Sequence, residues 1–172
     1  DDSGDGEGVD FAFTRQTVYG TLAEPTYSGA LSFLRKKYSK DLSGIDIAVT
    51  GAPYDLAATN RTGTRFGPRA IRAASTNLAW MGGNYPWGFE PLKRLAMVDY
   101  GDCLVDPGFP QQAPDRIEEH FTNLLESGVS TVCMGGDHFI TGPILRAYAK
   151  KYGPMAIVHF DAHSDTWSEE EN

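Results

Sequence analysis

Two short polar runs contain the side chains in this chain that are best suited to chemistry. The first is Gly135-Gly136-Asp137-His138, and the second is Asp161-Ala162-His163-Ser164-Asp165. Because side chains alternate along an extended backbone, residues 161, 163 and 165 are expected to project to one side. Carboxylates crowded on one face repel each other, and a bound cation supplies the charge that offsets this repulsion. The spacing therefore predicts a metal site.

The predicted metal ligands are two histidines and two aspartates, without a thiolate: His138, Asp161, His163 and Asp165. This set favours a divalent ion of borderline to hard character, with Mn first and then Fe, Co, Ni or Zn. It also suits two ions that share one aspartate and together activate a water molecule. Asp137 and His159 are candidates for orienting a metal-binding side chain without binding the metal themselves. Their simpler roles are a turn-forming aspartate and a hydrogen-bonded core histidine.

Each polar run by itself could be a solvated loop. Because both follow predicted strands of one sheet, a metal site is favoured over that interpretation. Short apolar runs predict strands at residues 45–50, 95–99, 131–134 and 155–160. Helices are predicted from about residue 30 to 38, from Gly67-Pro68, from about Pro114 to Gly128, and over residues 144–149. His120, on the third of these, is expected at the surface or helix boundary.

The alternation of apolar strands with helices predicts an α/β fold in which a parallel sheet is covered on both faces. In such sheets, ligands gather beyond the carboxyl ends of the strands. The two polar runs occupy those positions, so the fold prediction and the metal-site prediction agree.

The composition excludes several classes of protein. The 172 residues carry 23 acids and 15 bases, for a net charge of -8, and no basic cluster suggests nucleic-acid binding. No apolar run approaches the roughly 20 residues of a membrane helix. Cys103 and Cys133 are too few for a disulfide framework, and Cys133 is expected to be a packed, reduced thiol. These features predict a soluble, cytoplasmic protein with one domain.

An arginine series precedes and enters the helix that begins at Gly67: Arg61, Arg65, Arg69 and Arg72. A helix N-terminus with nearby arginines could bind phosphate. However, no glycine-rich phosphate loop with its lysine accompanies it. Structural or subunit-contact roles are therefore favoured.

The two metal motifs resemble signatures of the ureohydrolase family, which contains arginases, agmatinases and related guanidino hydrolases. The segment Thr-Gly-Thr-Arg-Phe-Gly-Pro-Arg-Ala-Ile-Arg at residues 62–72 is similar to the N-terminal region of that family. Residues 75–80, 85–89 and 158–161 look closest to bacterial agmatinases. The resemblance runs from about residue 45 to residue 167, and it implies a three-layer α/β/α fold with a parallel sheet, arginase-like but truncated.

The resemblance implies a binuclear hydrolase that carries two Mn²⁺ ions per active site, with Ni²⁺ or Co²⁺ as alternatives. By the pattern of the family, His138 and Asp165 bind one ion, His163 binds the other, and Asp161 bridges them. A metal-bridging hydroxide then attacks the guanidinium carbon of a small guanidino substrate. Agmatine would give putrescine and urea, a step of polyamine biosynthesis. Family members usually assemble as homo-oligomers, either trimers or hexamers.

One signature of the family has no counterpart in this sequence. The family completes both metal spheres with an Asp-x-Asp pair on a later strand, and only seven residues follow Asp165. We therefore predict that the chain is the N-terminal half of a longer enzyme. Residues 1–20 are expected to form a disordered or extended tail, and residues 21–172 the N-terminal part of a single ureohydrolase domain.

Two alternatives to an agmatinase stay open from the sequence. The substrate could be another guanidino compound, such as guanidinobutyrate, arginine or guanidine itself. The chain could also be a non-catalytic metal-binding subunit if it were complete, because the Asp-x-Asp pair is absent.

Overall fold

The computed structural model describes residues 27–79 and 94–166, together with residues 88, 89 and 92. Three strands alternate with three α-helices along the described chain. They are β1 (Ile47–Ala52), α1 (Gly67–Ser75), β2 (Met97–Asp102), α2 (Ala113–Glu126), β3 (Ser130–Gly135) and α3 (Thr141–Tyr152). Short 3₁₀ turns lie at Phe33–Arg35, Thr64–Phe66, Thr76–Leu78, Pro110–Gln112 and His138–Ile140. The predicted tail, residues 1–20, lies outside the described residues.

The three strands form a parallel sheet in the order β2-β1-β3. β1 is central, and from Ala48 to Ala52 every residue is buried. The register pairs Gly51 with Asp102 on one side and Ala52 with Gly135 on the other. The carboxyl ends of all three strands therefore meet at one edge, as predicted for a parallel α/β sheet.

The two faces of β1 contact different helices, which produces the three layers. Ala52 packs with Phe121 of α2 in the main hydrophobic cluster, and this cluster also includes Ala147 of α3. Gly51, the residue before Ala52, faces the opposite side of the sheet, where a Cβ would lie 2.8 Å from the Cβ of Pro68 in α1. Glycine at this position lets α1 approach the sheet closely. The predicted α/β/α layering is therefore confirmed within the described part of the chain.

The amphipathic pattern predicted for α2 is borne out by burial. Its apolar stripe is almost fully buried against the sheet and α3: Ile117, Phe121, Leu124 and Leu125. Burying each such side chain contributes about 1.5–3 kcal/mol, so α2 is the main apolar contribution to this face. None of the helices in the described ranges is long and apolar enough to span a membrane.

The helix predicted from about residue 30 to 38 is wrong. Only a three-residue 3₁₀ turn forms there, and Leu34 and Arg35 have positive φ angles of 51° and 54°. The N–H of Phe33 donates to Asp99 Oδ2 at 2.7 Å, and the N–H of Leu34 donates to Ser75 Oγ at 2.8 Å. These long-range bonds replace helical ones, so tertiary contacts override the local apolar spacing.

The fourth predicted strand, residues 155–160, does not form in the structure either. Among the described residues no strand pairs with it, and Val158 and Phe160 are 80% and 94% exposed. A strand requires a hydrogen-bonded neighbour, which an apolar, β-branched sequence cannot supply by itself. The segment nevertheless connects α3 to the second polar run.

His120 also differs from its predicted surface position. It is half-buried where α2 covers β1 and β2, with Nε2 2.7 Å from Thr50 Oγ1, and its ring makes an edge contact with Tyr100. The Thr50 hydroxyl donates to the carbonyl of Gly101, so it accepts a hydrogen bond from His120. Burial lowers the pKa of His120 to about 4, which keeps the ring neutral.

Candidate metal centre

His138 is positioned by the turn that follows β3. Asp137 precedes this turn in an extended conformation, and its Oδ1 accepts a hydrogen bond from the N–H of Phe139 at 3.1 Å. This is the capping role for which aspartate is favoured at a helix start. The ring atom Nδ1 of His138 lies 3.2 Å from the hydroxyl of Thr141. The other ring nitrogen, Nε2, points to the second polar run.

The second polar run reaches His138 through Asp165. Its Oδ2 lies 2.6 Å from Nε2 of His138, although the two residues are far apart in sequence. The ring of His159 stacks on that of His138, with centroids 5.4 Å apart and planes 15° apart. The predicted meeting of the two polar runs is therefore observed.

The remaining predicted ligands continue from His159 as a chain of contacts. Asp161 Oδ2 lies 3.5 Å from Nε2 of His159, and Asp161 Oδ1 lies 3.5 Å from Nδ1 of His163. All six candidate side chains are thus in one region: Asp137, His138, His159, Asp161, His163 and Asp165. They lie near the carboxyl end of β3, where the sheet topology predicts ligand binding.

Three of these residues come close enough to share one ion. Ligand atoms of His138, His159 and Asp165 all lie within 4.8 Å of one another. His159, which the sequence suggested as a supporting residue, is therefore in direct reach of the predicted ligand His138. Its parity with Asp161 along an extended segment was the available signal.

The expected common face of residues 161, 163 and 165 is not formed. Residues 161–163 form a bend, because the N–H of His163 donates to Oδ1 of Asp161 at 3.0 Å. Asp165 has a positive φ of 50°, and the His163 side chain is 81% exposed. A local aspartate-to-backbone bond competes with extended structure in this way. His163 is thus adjacent to the three-residue cluster and not within it.

The electrostatics of the centre favour the ionised form of Asp161. The hydrogen bond from the N–H of His163 lowers the pKa of Asp161, and the imidazoles of His159, His163 and His138 act in the same direction. Nitrogen and oxygen donors of this kind fit a divalent ion such as Mn²⁺, Co²⁺ or Ni²⁺. The Cys133 side chain packs against the main hydrophobic cluster, and its burial raises the pKa of the thiol to about 12.

Two arginines of the series, Arg65 before α1 and Arg72 within it, form structural ion pairs, in line with one of the roles that the sequence favoured. Arg65 pairs with the buried Asp55, and Arg72 pairs with Asp99 and Asp102. Both guanidinium groups are therefore occupied by carboxylates, which argues against a phosphate site here.

The sequence model of the Arginase family matches residues 45–172, which is most of the chain. The chain belongs to the arginase family. It is 52% identical over 162 residues to an agmatinase of Chromobacterium violaceum, covering 94% of this chain and 50% of that protein. It is 47% identical to an agmatinase of Proteus mirabilis, covering 82% of this chain and 47% of that protein.

Solved structures of similar proteins agree with this arginase-family fold. A hypothetical agmatinase from Burkholderia thailandensis superimposes with a TM-score of 0.84 at 49% identity, covering 94% of this chain and 51% of that one. Proclavaminate amidino hydrolase from Streptomyces clavuligerus gives a TM-score of 0.75 at 37% identity, covering 83% and 47% of the two chains. The predicted arginase-like fold is therefore confirmed.

The arginase-family chain spans about half the length of the curated relatives it matches. This coverage is consistent with the sequence prediction that the chain is the N-terminal half of a longer enzyme. The agmatinase-like residues Trp80, Tyr85 and Trp87 lie outside the described residues, and Phe89 lies within them, 37% exposed, with Arg94 stacked 4.6 Å from its ring.

Proposed function

We propose that this chain is the part of a binuclear-metal ureohydrolase that supplies its first metal ligands, and that the whole enzyme hydrolyses agmatine to putrescine and urea. The observation that carries the proposal is the 2.6 Å contact between His138 Nε2 and Asp165 Oδ2, which unites the two polar runs. The similarity to agmatinases supports the choice of agmatine among guanidino substrates.

In this proposal, His138 and Asp165 would hold one ion, His163 would hold the second, and Asp161 would be the ligand shared by both. The bend at residues 161–163 supports the assignment, because it keeps the Asp161 carboxylate within 3.5 Å of both His159 and His163. Mn²⁺ is the proposed metal, two ions per site, with Ni²⁺ or Co²⁺ as alternatives. When bound, such ions would lower the pKa of a coordinated water and so supply a nucleophile at neutral pH.

The protein side chains have separate tasks around this chemistry. Asp137 fixes the His138 turn by accepting the N–H of Phe139, so the imidazole is held in place before any ligand arrives. His159 stacks on His138 and also approaches Asp161, so it can orient both. The reaction adds one water to the guanidinium group and releases urea and an amine, with no oxidant or reductant.

We also propose that the whole enzyme is a cytoplasmic homo-oligomer, a trimer or a hexamer, that acts in polyamine biosynthesis. The further metal ligands would come from an Asp-x-Asp strand in the remainder of the full-length enzyme. That the chain spans about half of its relatives supports this division.

The test is urea release by the full-length protein after incubation with Mn²⁺ and agmatine. Metal content is measured in parallel on purified His138→Ala and Asp161→Ala variants, with Asp115→Asn at the exposed start of α2 as the matched control. We expect urea from the unmodified protein, with loss of activity and of bound metal in the first two variants only.

Two results would contradict parts of this proposal. Urea released from guanidinobutyrate or arginine but not from agmatine would retain the enzyme class and reject the substrate. Metal content that is unchanged in both His138→Ala and Asp161→Ala would reject the metal centre itself.

A further inference from the structure

The loop after β1, residues 53–66, is closed by one buried carboxylate. The Asp55 side chain is fully buried and accepts the N–H of Gly63 at 2.6 Å and that of Arg65 at 3.1 Å. It also accepts Nε of Arg65 at 2.7 Å, and Nη2 of Arg65 lies 2.5 Å away. Both guanidinium nitrogens contact the same oxygen, Oδ1, while Oδ2 accepts the two backbone N–H groups, so every contact of this charge-assisted pair is directional. The loop therefore has one defined shape.

The same loop contacts both sequence neighbours of the predicted metal ligand His138, Asp137 and Phe139. The N–H of Asp137 donates to the carbonyl of Tyr54 at 2.8 Å, and Asp137 Oδ2 accepts the N–H of Ala57 at 2.8 Å. On the other side of His138, the ring of Phe139 lies 5.2 Å from the ring of Tyr54. The position of His138 is thus set by the loop as well as by β3.

The backbone packing leaves little freedom at this junction. The N–H of Gly136 donates to the carbonyl of Ala52 at 3.2 Å. A Cβ on Gly136 would overlap the carbonyl oxygen of Tyr54, so no larger residue fits without movement of the loop. A change in loop shape must therefore be transmitted to residues 136–139.

We propose that Asp55 and Arg65 are a positioning pair, which holds residues 53–66 in the shape that orients the metal ligand His138 through Asp137; this rests on the proposed metal site. The hydrogen bonds and ion pairs of these two residues are with each other and with the loop backbone, not with the candidate ligands. Their effect is on the angle and order of the His138 imidazole, and partners that orient a ligand in this way typically change metal affinity by about 10–100-fold.

The pKa of Asp55 agrees with a permanently ionised member of this pair. The hydrogen bond from Arg65 lowers the pKa of Asp55 to about 2. The pair therefore stays charged through the whole range in which a metallohydrolase works, and it does not act as a proton donor or acceptor.

The experiment measures Mn²⁺ binding by calorimetry and amide hydrogen exchange in the full-length protein. The variants are Arg65→Gln, which removes the pair, and Arg65→Lys, which keeps the charge but not the contact of two nitrogens with Asp55 Oδ1. The control is Arg116→Gln on α2, whose side chain is 58% exposed. For Arg65→Gln we expect about a tenfold weaker affinity for Mn²⁺ and faster exchange in peptides covering residues 53–66 and 136–141. Arg65→Lys should lie between it and the unmodified protein, and Arg116→Gln should match the latter.

The inference is overturned if Arg65→Gln accelerates exchange only at residues 53–66, with residues 136–141 and Mn²⁺ affinity unchanged within twofold. If Arg65→Gln does not fold, the same comparison is made with Arg65→Lys. The inference is then overturned if Arg65→Lys has the same Mn²⁺ affinity and the same exchange rates as the control Arg116→Gln. Absence of Mn²⁺ binding to the unmodified protein would reject the proposed function instead. The comparison of hydrogen exchange at residues 136–141 between Arg65→Gln and the unmodified protein would then decide the positioning role.

Discussion

Replacing Arg72 with methionine is expected to destabilise the protein by breaking a buried ion pair beside the sheet. Nε and Nη2 of Arg72 donate to the two carboxylate oxygens of Asp99 at 2.7 and 2.9 Å, and Nη1 donates to Asp102 at 2.8 Å. The Asp99 side chain is fully buried, and that of Arg72 is 7% exposed. Methionine would fill much of the volume but leave Asp99 without its counter-charge.

The size of the effect follows from the contacts that remain. Removing one partner of a buried pair costs about 3–5 kcal/mol, because the other charge stays buried and uncompensated. Asp99 would keep hydrogen bonds from the N–H groups of Phe33 and Gly101, at 2.7 and 2.9 Å. We therefore expect the lower end of that range, about 3 kcal/mol, which is a large fraction of the usual 5–15 kcal/mol of a folded domain.

Urea unfolding followed by circular dichroism measures this loss for Arg72→Met, Asp99→Asn and the double variant. The double variant removes both charges, so it should be clearly less destabilised than the sum of the two single variants, with a coupling of about 2 kcal/mol. Arg116→Met on the exposed face of α2 is the matched control and should change stability by less than about 0.5 kcal/mol. A loss below about 1 kcal/mol for Arg72→Met, or additive single variants, would refute the argument.

Three other changes have outcomes that the structure specifies. Burial lowers the pKa of His120 from 6.5 to about 4, so the unmodified protein should lose stability as the pH falls from 6.5 towards 4. His120→Gln should remove this part of the pH dependence, which is measured as the difference between the urea unfolding midpoints at pH 7 and pH 4.5. An equal difference in the variant and the unmodified protein would contradict the prediction. Gly136→Ala should cost on the order of 2 kcal/mol, because its Cβ would overlap the carbonyl of Tyr54, and an unchanged thermal midpoint would contradict that overlap. Glu118→Ala removes a surface network with two basic residues of α3 and should cost no more than about 1 kcal/mol, an amount that shrinks in 0.5 M salt if the interaction is electrostatic.

Local signals in the sequence predicted most of the secondary structure correctly. Gly67-Pro68 begins α1, and Gly128 follows α2 with a φ of 84°, as expected for a helix stop. The strands β1, β2 and β3 were predicted within a few residues, because each is a short apolar run bounded by glycine and polar residues. These signals act over a few residues, so they can be recognised without the fold.

Errors arose where long-range partners decide the conformation. Residues 30–38 have helical spacing, but the N–H groups of Phe33 and Leu34 bond to side chains 66 and 41 residues away. His120 was expected at the surface, yet Thr50, 70 residues earlier, accepts its hydrogen bond. Residues 155–160 have a strand-like sequence and no paired strand among the described residues. In each case the deciding contact is absent from the local pattern.

The sequence by itself predicted the type of chemistry, because its two polar runs carry carboxylate and imidazole donors that suit a divalent ion. It also determined the arginase family, through residues 62–72 and the two metal motifs. Only the tertiary structure decided that Asp165 and His159 reach His138, whereas His163 lies beside this cluster with its N–H bonded to Asp161. Residue types and spacing specify which ligands are available. Their distances depend on how strands and loops remote in sequence pack together.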